Sequence, residues 1–255
     1  MTVRWMTLFL DRPADSVGAA TDFWERVTGT TRSTYRGEHQ QFTTLVPHDG
    51  DAHLRVQRID DGPAGTHLDL HTDDVDGLVS RAADLGATLV RDTPVATVRS
   101  PGGYRCCVVR WRGEATPPAP HAGPSGSPSR VDQLCLDIAP HHLDAEIAFW
   151  SALLDWPAVT STLRPEFTSL TRPERMPMRL LLQRLDASDG PTTGHIDLAA
   201  GERVEEVVAD HLAAGAEVEI HEWIWTVLRD PSGQRYCVTR RDPIAGVVTH
   251  LPPPR

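Results

Sequence analysis

Two segments of the sequence, GTHLDLHT and GHIDLA, alternate histidine or aspartate with other residues, mostly aliphatic ones. Side chains alternate between the two faces of a β-strand, so the polar residues of each segment would share one face. An imidazole beside a carboxylate can bind a polar ligand or transfer a proton, although the same pair also occurs as a structural hydrogen bond. The ligand-binding candidates are His67, Asp69 and His71, and the candidate acid–base pair is His195 and Asp197.

Aromatic and cationic side chains add further ligand-binding candidates. Trp223 and Trp225 lie two residues apart and could stack on a planar ligand from one strand face, with core packing as the alternative. Arg105 and Arg235 each precede a cysteine by two residues, so each would share that cysteine's face. They could bind an anionic group of a ligand, and a surface ion pair is the alternative.

The apolar pattern of the sequence predicts short strands that would position these side chains, together with amphipathic helices. Helical spacing predicts helices around Val17–Val27, Val75–Leu85, Leu143–Leu154 and Arg203–Ala214. The second and fourth of these run into a glycine, a common residue at a helix C-terminus. Each helix follows one strand and precedes about three more, so the pattern predicts four strand–helix–three-strand modules.

The two halves of the chain repeat one another in order. DFWERVTG matches AFWSALLD, HLDL matches HIDL, and SPGGYRCCVVR matches DPSGQRYCVTR. Ordered matches at a nearly constant offset indicate a duplicated domain. Between the halves, GEATPPAPHAGPSGSPS predicts an exposed linker. The predicted organisation is a first domain at 1–112, a linker at 113–129, a second domain at 130–243 and a C-terminal tail at 244–255.

The bulk composition excludes several classes of function. The formal net charge is −10 and no basic run is present, which argues against nucleic-acid binding. No apolar run is long enough to span a membrane, and the N-terminus lacks the features of a signal peptide. The four cysteines have no spacing typical of a disulfide framework or a CxxC zinc site. We therefore expect a cytoplasmic protein without nucleic-acid or membrane partners.

Paired modules of this kind, with FW late in the first helix and DPSG before the last strand, resemble the vicinal oxygen chelate superfamily. This superfamily includes glyoxalases, bleomycin resistance proteins and extradiol dioxygenases, and HIDL…DPSGQRYCV is similar to its glyoxalase-like branch. The resemblance implies an α+β fold of two tandem domains. In each domain two βαβββ modules would form a curled, half-open mixed sheet around a cleft, with helices on the convex side.

The resemblance also indicates where metal ligands would lie. The positions that supply ligands in metal-binding members hold His67, Gln57 and Cys107 in the first half and His195, Gln183 and Cys237 in the second. The glutamates typical of such sites are absent, and glutamine is a weak donor. We therefore expect no catalytic metal, while a divalent metal, with zinc favoured by a His–Cys pair, stays the alternative.

The first functional hypothesis is a binding protein of the glyoxalase/bleomycin-resistance type, which holds an organic molecule, such as an aromatic compound, in one or both clefts. The second is a lyase, isomerase or dioxygenase with a degenerate metal set, or a metal-free enzyme that uses His195 with Asp197. The third is a pair of structural domains that bind nothing. The modules could pair within a monomer or across a homodimer.

Overall fold

The structure is a computed structural model that describes residues 2–90 and 95–248. It has the predicted α+β fold, built from four βαβββ modules. The first module comprises β1 (Val3–Pro13), α1 (Val17–Thr28), β2 (Thr31–Arg32), β3 (Phe42–Val46) and β4 (Leu54–Ile59). The second comprises β5 (Gly65–Thr72), α2 (Val75–Asp84), β6 (Thr88–Val90), β7 (Ala96–Arg99) and β8 (Arg105–Arg110).

The second half of the chain repeats this order after a short strand, β9 (His121–Ala122). The third module comprises β10 (Pro128–Ile138), α3 (Leu143–Leu154), β11 (Ala158–Thr160), β12 (Phe167–Leu170) and β13 (Arg179–Arg184). The fourth comprises β14 (Thr193–Ala199), α4 (Val204–Ala213), β15 (Glu217–His221), β16 (Trp225–Arg229) and β17 (Arg235–Thr239). A short 3₁₀ turn precedes each of α3 and α4.

The strands form two mixed sheets with the same topology. The strand order is β2-β3-β4-β1-β5-β8-β7-β6 in one sheet and β11-β12-β13-β10-β14-β17-β16-β15 in the other, where β9 adds to β10. β5 runs parallel to β8, and β14 runs parallel to β17. β16 runs antiparallel to β17, and β7 runs antiparallel to β8. The equal strand order confirms that the chain contains two copies of one fold.

The helices form where the apolar spacing predicts them. Phe23 and Trp24 of α1 are buried, as are Phe149 and Trp150 of α3, so the FW pair marks the packed face of each helix. Gly86 and Gly215, with φ of 96° and 109°, follow α2 and α4 in the left-handed conformation that favours glycine. In the described parts of the chain no helix is long and apolar enough to cross a membrane.

The described chain divides into two compact units that combine modules of different halves. Unit 1 contains the N-terminal residues to Phe9, Thr66–Pro117 and Leu134–Gly194. Unit 2 contains Leu10–Gly65, Pro118–Gln133 and the residues from His195 onward. Each unit therefore joins most of one module from each half of the duplicated sequence. The predicted domain boundaries at 112 and 130 describe the sequence repeat and stay a prediction for the folded domains.

In unit 2 a buried ion pair joins the start of the first module to the DPSG turn of the fourth. Arg12 donates from Nη2 to Asp230 Oδ2 at 2.8 Å, and both side chains are almost completely buried. The Trp24 indole donates to the same oxygen at 2.9 Å, and Ser232 donates to the other carboxylate oxygen. These contacts satisfy a buried charge that would otherwise be costly.

In unit 1 the carboxylate comes from a helix instead of the turn. Glu146 of α3 is fully buried and accepts hydrogen bonds from the Trp150 indole at 2.6 Å and from the Gly102 N–H at 2.7 Å. Ser100 and Thr192 donate to it as well. A Cβ on Gly102 would lie only 2.5 Å from Glu146 Oε1, so glycine is required at this position.

The segment predicted to be an exposed linker is only partly exposed. Pro118, Ser127 and Ser129 are buried, and β9 pairs with β10 through His121 and Ser129. The backbone of this proline-rich segment therefore finds partners in unit 2, which its composition did not indicate. Of the predicted C-terminal tail at 244–255, residues 249–255 lie outside the described residues.

Candidate functional site

The first-repeat site consists of His67, Asp69 and Cys107, which β5 and β8 bring together in unit 1. All three are buried, and their ligand atoms lie within 4.8 Å of one another. In the parallel register Asp69 lies opposite Cys107, so both side chains lie on one sheet face, as the alternation predicts for His67 and Asp69. Thr97 of β7, opposite Cys107, has its hydroxyl 3.4 Å from the cysteine sulfur.

An aromatic ring packs on this first-repeat site. The Phe9 ring stacks on the His67 imidazole with 4.4 Å between ring centroids. His71, two residues beyond Asp69, lies 2.9 Å from the Thr7 hydroxyl and 3.5 Å from the Glu114 carboxylate. The Nε2 atom of His71 therefore lies within hydrogen-bond distance of a hydroxyl, and Nδ1 lies at ion-pair distance from a carboxylate.

The second-repeat site consists of His195, Asp197, Gln133 and Arg241, all within unit 2. His195 Nε2 lies 3.3 Å from Asp197 Oδ1, and the Gln133 side-chain amide donates to Asp197 Oδ2. Arg241 Nη1 lies 3.7 Å from that same Asp197 oxygen. The predicted His195–Asp197 pair is therefore a real contact, and it extends into a polar network.

A second carboxylate shares the arginine of this network. Arg241 Nη2 donates to Asp132 Oδ1 at 2.5 Å, and Asp132 is fully buried. Burial acts against the charged form of Arg241, but the charges of Asp132 and Asp197 outweigh it and raise the pKa of the guanidinium. The arginine therefore stays charged and compensates two buried carboxylates.

The electrostatics of Asp197 follow from the same contacts. Burial acts to raise the pKa of its carboxyl group, but the hydrogen bond and charge of His195, followed by the charge of Arg241, lower it overall. Asp197 is therefore ionised at neutral pH. An ionised Asp197 can orient the His195 ring, and an imidazole held in this way can donate or accept a proton.

Strand register places an aromatic ring on the same sheet face as this pair. Asp197 lies opposite Cys237, and Cys237 lies opposite Val227 of β16. Residues opposite each other point to the same side, so Trp225, two residues before Val227, shares this face. Trp225 is partly exposed. The face of β14, β17 and β16 thus combines a polar pair with an indole.

The other predicted ligand-binding residues lie elsewhere. Trp223 is 40% exposed, precedes β16 in a bend, and has the Arg240 guanidinium 4.9 Å from its ring centroid. Arg235 is exposed and ion-paired with Glu219, which matches the surface ion pair considered as the alternative. Arg105 is partly buried and lies opposite Arg99 in the β7–β8 pair.

The two glutamines at the metal-ligand positions inferred from the superfamily are partly buried. The two cysteines at such positions are buried. Gln57 of β4 lies opposite Phe42, and Gln183 of β13 lies opposite Phe167. Gln183 Oε1 lies 3.5 Å from the Cys135 sulfur within unit 1. Cys107 and Cys237 each lie opposite the aspartate of their own repeat. Their role as ligands stays a prediction.

The sequence reasoning missed Arg241 and Asp132. The signal for Arg241 was present, because Cys237, Thr239 and Arg241 alternate onto one face just as Arg235 and Cys237 do. No local pattern marked Asp132 as the partner of a cation. Asp132 lies in β10 and Arg241 follows β17, so their contact depends on the tertiary fold.

A family model described as a glyoxalase-like domain matches residues 7–109 and again residues 133–239. The chain belongs to this family. The two matched copies confirm the predicted tandem arrangement and place the protein in the vicinal oxygen chelate superfamily. Among curated proteins no sequence relative matches the chain.

Solved structures of the same fold include dioxygenases and a glyoxalase. The 2,3-dioxygenase LapB from Pseudomonas sp. KL28 is 14% identical with a TM-score of 0.66, and the match covers 91% of this chain and 90% of that one. The Mn(II)-bound glyoxalase from Novosphingobium aromaticivorans is 16% identical with a TM-score of 0.62, covering 93% and 82%. At these identities the likeness shows the fold alone.

A longer protein also contains this fold. A xylose isomerase-like TIM barrel/4-hydroxyphenylpyruvate dioxygenase fusion protein is 13% identical with a TM-score of 0.60. The match covers 93% of this chain but only 48% of the fusion protein, so this chain spans about half of its length.

Proposed function

We propose that the protein binds a small organic molecule with a planar part on the sheet face that carries His195, Asp197 and Trp225, without a catalytic metal. The observation that supports this most directly is the position of Arg241. Its guanidinium lies 3.7 Å from Asp197 and 2.5 Å from Asp132, so a protein cation already compensates the carboxylates that a metal would compensate.

The side chains on this sheet face indicate which class of ligand it would bind. His195 is partly exposed, whereas His67 is buried under Phe9, so the second-repeat site is the more accessible of the two. The His195 imidazole can donate to or accept from a hydroxyl or carbonyl group. Trp225 offers a ring on which a planar molecule can stack. A phenol or an aromatic ketone has both features, and sequestration of such a compound is a use that this geometry permits.

The alternative is an enzyme of the same superfamily, and the first-repeat site favours it. His67, Asp69 and Cys107 present an imidazole, a carboxylate and a sulfur within 4.8 Å, and a second group of possible ligands includes His195 and Asp197. Such a donor set suits zinc. A bound metal would polarise a ligand oxygen as a Lewis acid. A metal-free lyase or isomerase that uses His195 with Asp197 is the other enzymatic form.

Elemental analysis separates these proposals. The untagged protein is purified without chelators and loaded in turn with Zn²⁺, Ni²⁺, Mn²⁺ and Fe²⁺, next to His195→Ala and His67→Ala. If the protein binds its ligand without a metal, neither substitution should change the amount of metal that is bound. About one equivalent of metal per chain, lost in His195→Ala, would overturn the proposal. Loss in His67→Ala alone would assign a metal to the first-repeat site and support the enzyme.

The cytoplasmic location, the absence of nucleic-acid and membrane partners, and the choice between monomer and homodimer remain predictions that accompany this proposal. The expected absence of nucleic-acid partners rests on the net charge of −10 and on the lack of a basic run, and the expected cytoplasmic location rests on the spacing of the four cysteines. Size-exclusion chromatography with light scattering tests the monomer and homodimer forms.

A further inference from the structure

Unit 2 contains a second candidate site in a cavity of about 240 Å³, which we call the Arg130 cavity. Its walls are the C-terminal end of α1, the connection between β3 and β4, the segment at 118–122 and the start of β10. The volume falls slightly below the roughly 300–1,000 Å³ of pockets for drug-sized ligands, so a smaller molecule would fit.

The Arg130 cavity is distinct from the second-repeat site. Leu198 of β14 lines it, while Asp197, the preceding residue, belongs to the His195 network. Successive side chains of a strand point to opposite faces, so the cavity lies on the other side of β14 from that network. A ligand in the Arg130 cavity therefore does not contact the His195–Asp197 pair through this strand.

The walls of the cavity are fixed by specific contacts. His53 Nε2 lies 3.1 Å from the Val131 carbonyl oxygen, and the Ala119 N–H donates to the Asp49 carboxylate at 3.2 Å. His121 packs so closely on Gly29 that an added Cβ there would lie 2.1 Å from the imidazole Nδ1. The proline-rich segment at 118–122 is therefore held as one wall and is not a loose connection.

The lining combines an apolar floor with an excess of basic groups. Leu45, Leu54 and Val27 provide apolar surface, and Pro118 and Pro120 add rigid rings. The titratable groups that line the cavity are His48, Asp49, His53, His121 and Arg130. Asp49 is the single acidic group among them, and its carboxylate already accepts from Ala119.

Arg130 is the side chain that most directly indicates a ligand in this cavity. Its Nε is buried and has no hydrogen-bond partner among residues 2–90 and 95–248. Burial lowers the pKa of this guanidinium even though the charges of Asp132 and Asp242 act in the opposite direction. Burial together with the neighbouring His48 also lowers the pKa of His121. The Arg130 Nε–H is therefore a buried donor for which a ligand could supply the acceptor.

We propose that the Arg130 cavity binds a small carboxylic acid with an apolar body, in its ionised form, with Arg130 as the counter-charge. The carboxylate would accept from the Arg130 guanidinium, for which bidentate pairing is the favoured geometry. The apolar body would lie against the floor formed by the leucine and valine side chains. This site is independent of the function proposed for the second-repeat site.

Calorimetric titration with benzoate, phenylacetate and hexanoate tests the site, with benzamide as the neutral match of benzoate. We expect at least one carboxylate to bind to the full-length protein with one site per chain, and benzamide to bind at least about tenfold more weakly than benzoate if benzoate binds. Arg130→Gln should weaken carboxylate binding about tenfold or more. Arg110→Gln, at an exposed position that does not line the cavity, is the matched control and should leave carboxylate binding unchanged.

A second variant keeps the test valid if Arg130→Gln is poorly folded. Ala119 lines the cavity at an exposed position, and Ala119→Trp would fill the cavity while keeping the backbone N–H that donates to Asp49. We expect loss of carboxylate binding with an unchanged melting temperature. The proposal is overturned if none of the three carboxylates binds more tightly than about 1 mM, or if Ala119→Trp binds as well as the wild type.

Discussion

In unit 2 the Trp24 indole donates to Asp230 of the DPSG turn, whereas in unit 1 the equivalent Trp150 indole donates to Glu146 of its own helix. The turn of unit 1 begins with Ser100 in place of the aspartate, so the carboxylate has moved from the turn to the helix. Arg12 neutralises Asp230, while Glu146 is held by neutral donors. Each unit thus joins a helix tryptophan to a turn through a buried carboxylate. In unit 2 that carboxylate is paired with an arginine, and in unit 1 it is held by neutral donors.

The two repeat sites differ in a similar way. The TLFLD segment of β1 corresponds to QLCLD of β10, so Thr7 and Phe9 occupy the positions of Gln133 and Cys135. The RCCVVRW segment corresponds to RYCVTRR, which puts Trp111 at the position of Arg241. In the first-repeat site the Phe9 ring stacks on His67, whereas Gln133 and Arg241 join the second-repeat site to a charged network. This contrast is why we assign ligand binding to the second.

Removal of the cation from unit 2 should have the largest effect on stability. Arg12→Ala would leave Asp230 charged and buried without its ion pair, and we expect a loss of about 3–5 kcal/mol in the free energy of unfolding, measured by urea denaturation. The double variant Arg12→Met, Asp230→Asn keeps an acceptor for Trp24 and should be less destabilised than Arg12→Ala. A loss below about 1 kcal/mol for Arg12→Ala would contradict the assigned role of this pair.

The next effect concerns pH and is also specific to unit 2. His211 of α4 lies 3.0 Å from the Tyr236 hydroxyl, and burial lowers its pKa from 6.5 to about 4. The unfolded chain therefore binds a proton that the folded chain does not between these values, so stability is lost as the pH falls from 6.5 towards 4. The loss should be on the order of 3 kcal/mol.

Denaturation at several pH values measures this contribution, with His211→Gln as the comparison. This variant should be less stable than the wild type at neutral pH, because the buried imidazole and its contact with Tyr236 are lost. Glutamine cannot bind the proton, so the variant should lose less stability on acidification. If the wild type and His211→Gln lose the same amount of stability between pH 6.5 and 4, His211 is not the group responsible.

Glu146→Gln should have a smaller effect, because unit 1 uses neutral donors. The glutamine side chain offers one carbonyl oxygen in place of two carboxylate oxygens, so at least one buried donor, such as the Trp150 indole, loses its acceptor. We expect a loss of about 1–3 kcal/mol in the free energy of unfolding. Equal stability of wild type and variant in urea denaturation would show that the helix carboxylate does not have this role.

Arg235→Ala should have the smallest effect. Arg235 is exposed and ion-paired with Glu219 at the surface, where such a pair contributes between zero and about 1 kcal/mol. We expect a change within that range, and none in ligand binding. If Arg235→Ala weakened ligand binding instead, the residue would have to be returned to the ligand-binding set where the sequence reasoning placed it.

Much of the fold could be predicted from the sequence, because local periodicity determined it. The predicted bounds of α3 match the structure, and the glycines after α2 and α4 were recognised as helix ends. The alternation of histidine and aspartate also identified the faces of β5 and β14. These features depend on residues that are close together in the sequence.

The features that could not be predicted depend on contacts between distant segments. The burial of Pro118 and Ser127 depends on how the linker lies against unit 2 and not on its composition. The bend before β16 removed Trp223 from the strand face that its spacing indicated. Arg241 reaches Asp132 across more than a hundred residues of sequence, and no local pattern reports such a pair.

A thermal-shift screen in EDTA tests the central claim most directly. Wild type, His195→Ala and Trp225→Ala are compared with a panel of phenols and aromatic ketones. A ligand at about 100 times its dissociation constant adds about 2.7 kcal/mol to the stability of the folded state. We predict that at least one compound raises the melting temperature of EDTA-treated wild type by several degrees and has no such effect on either variant. Stabilisation only after a metal is restored, or stabilisation that is unchanged in His195→Ala, would contradict metal-free binding at the second-repeat site.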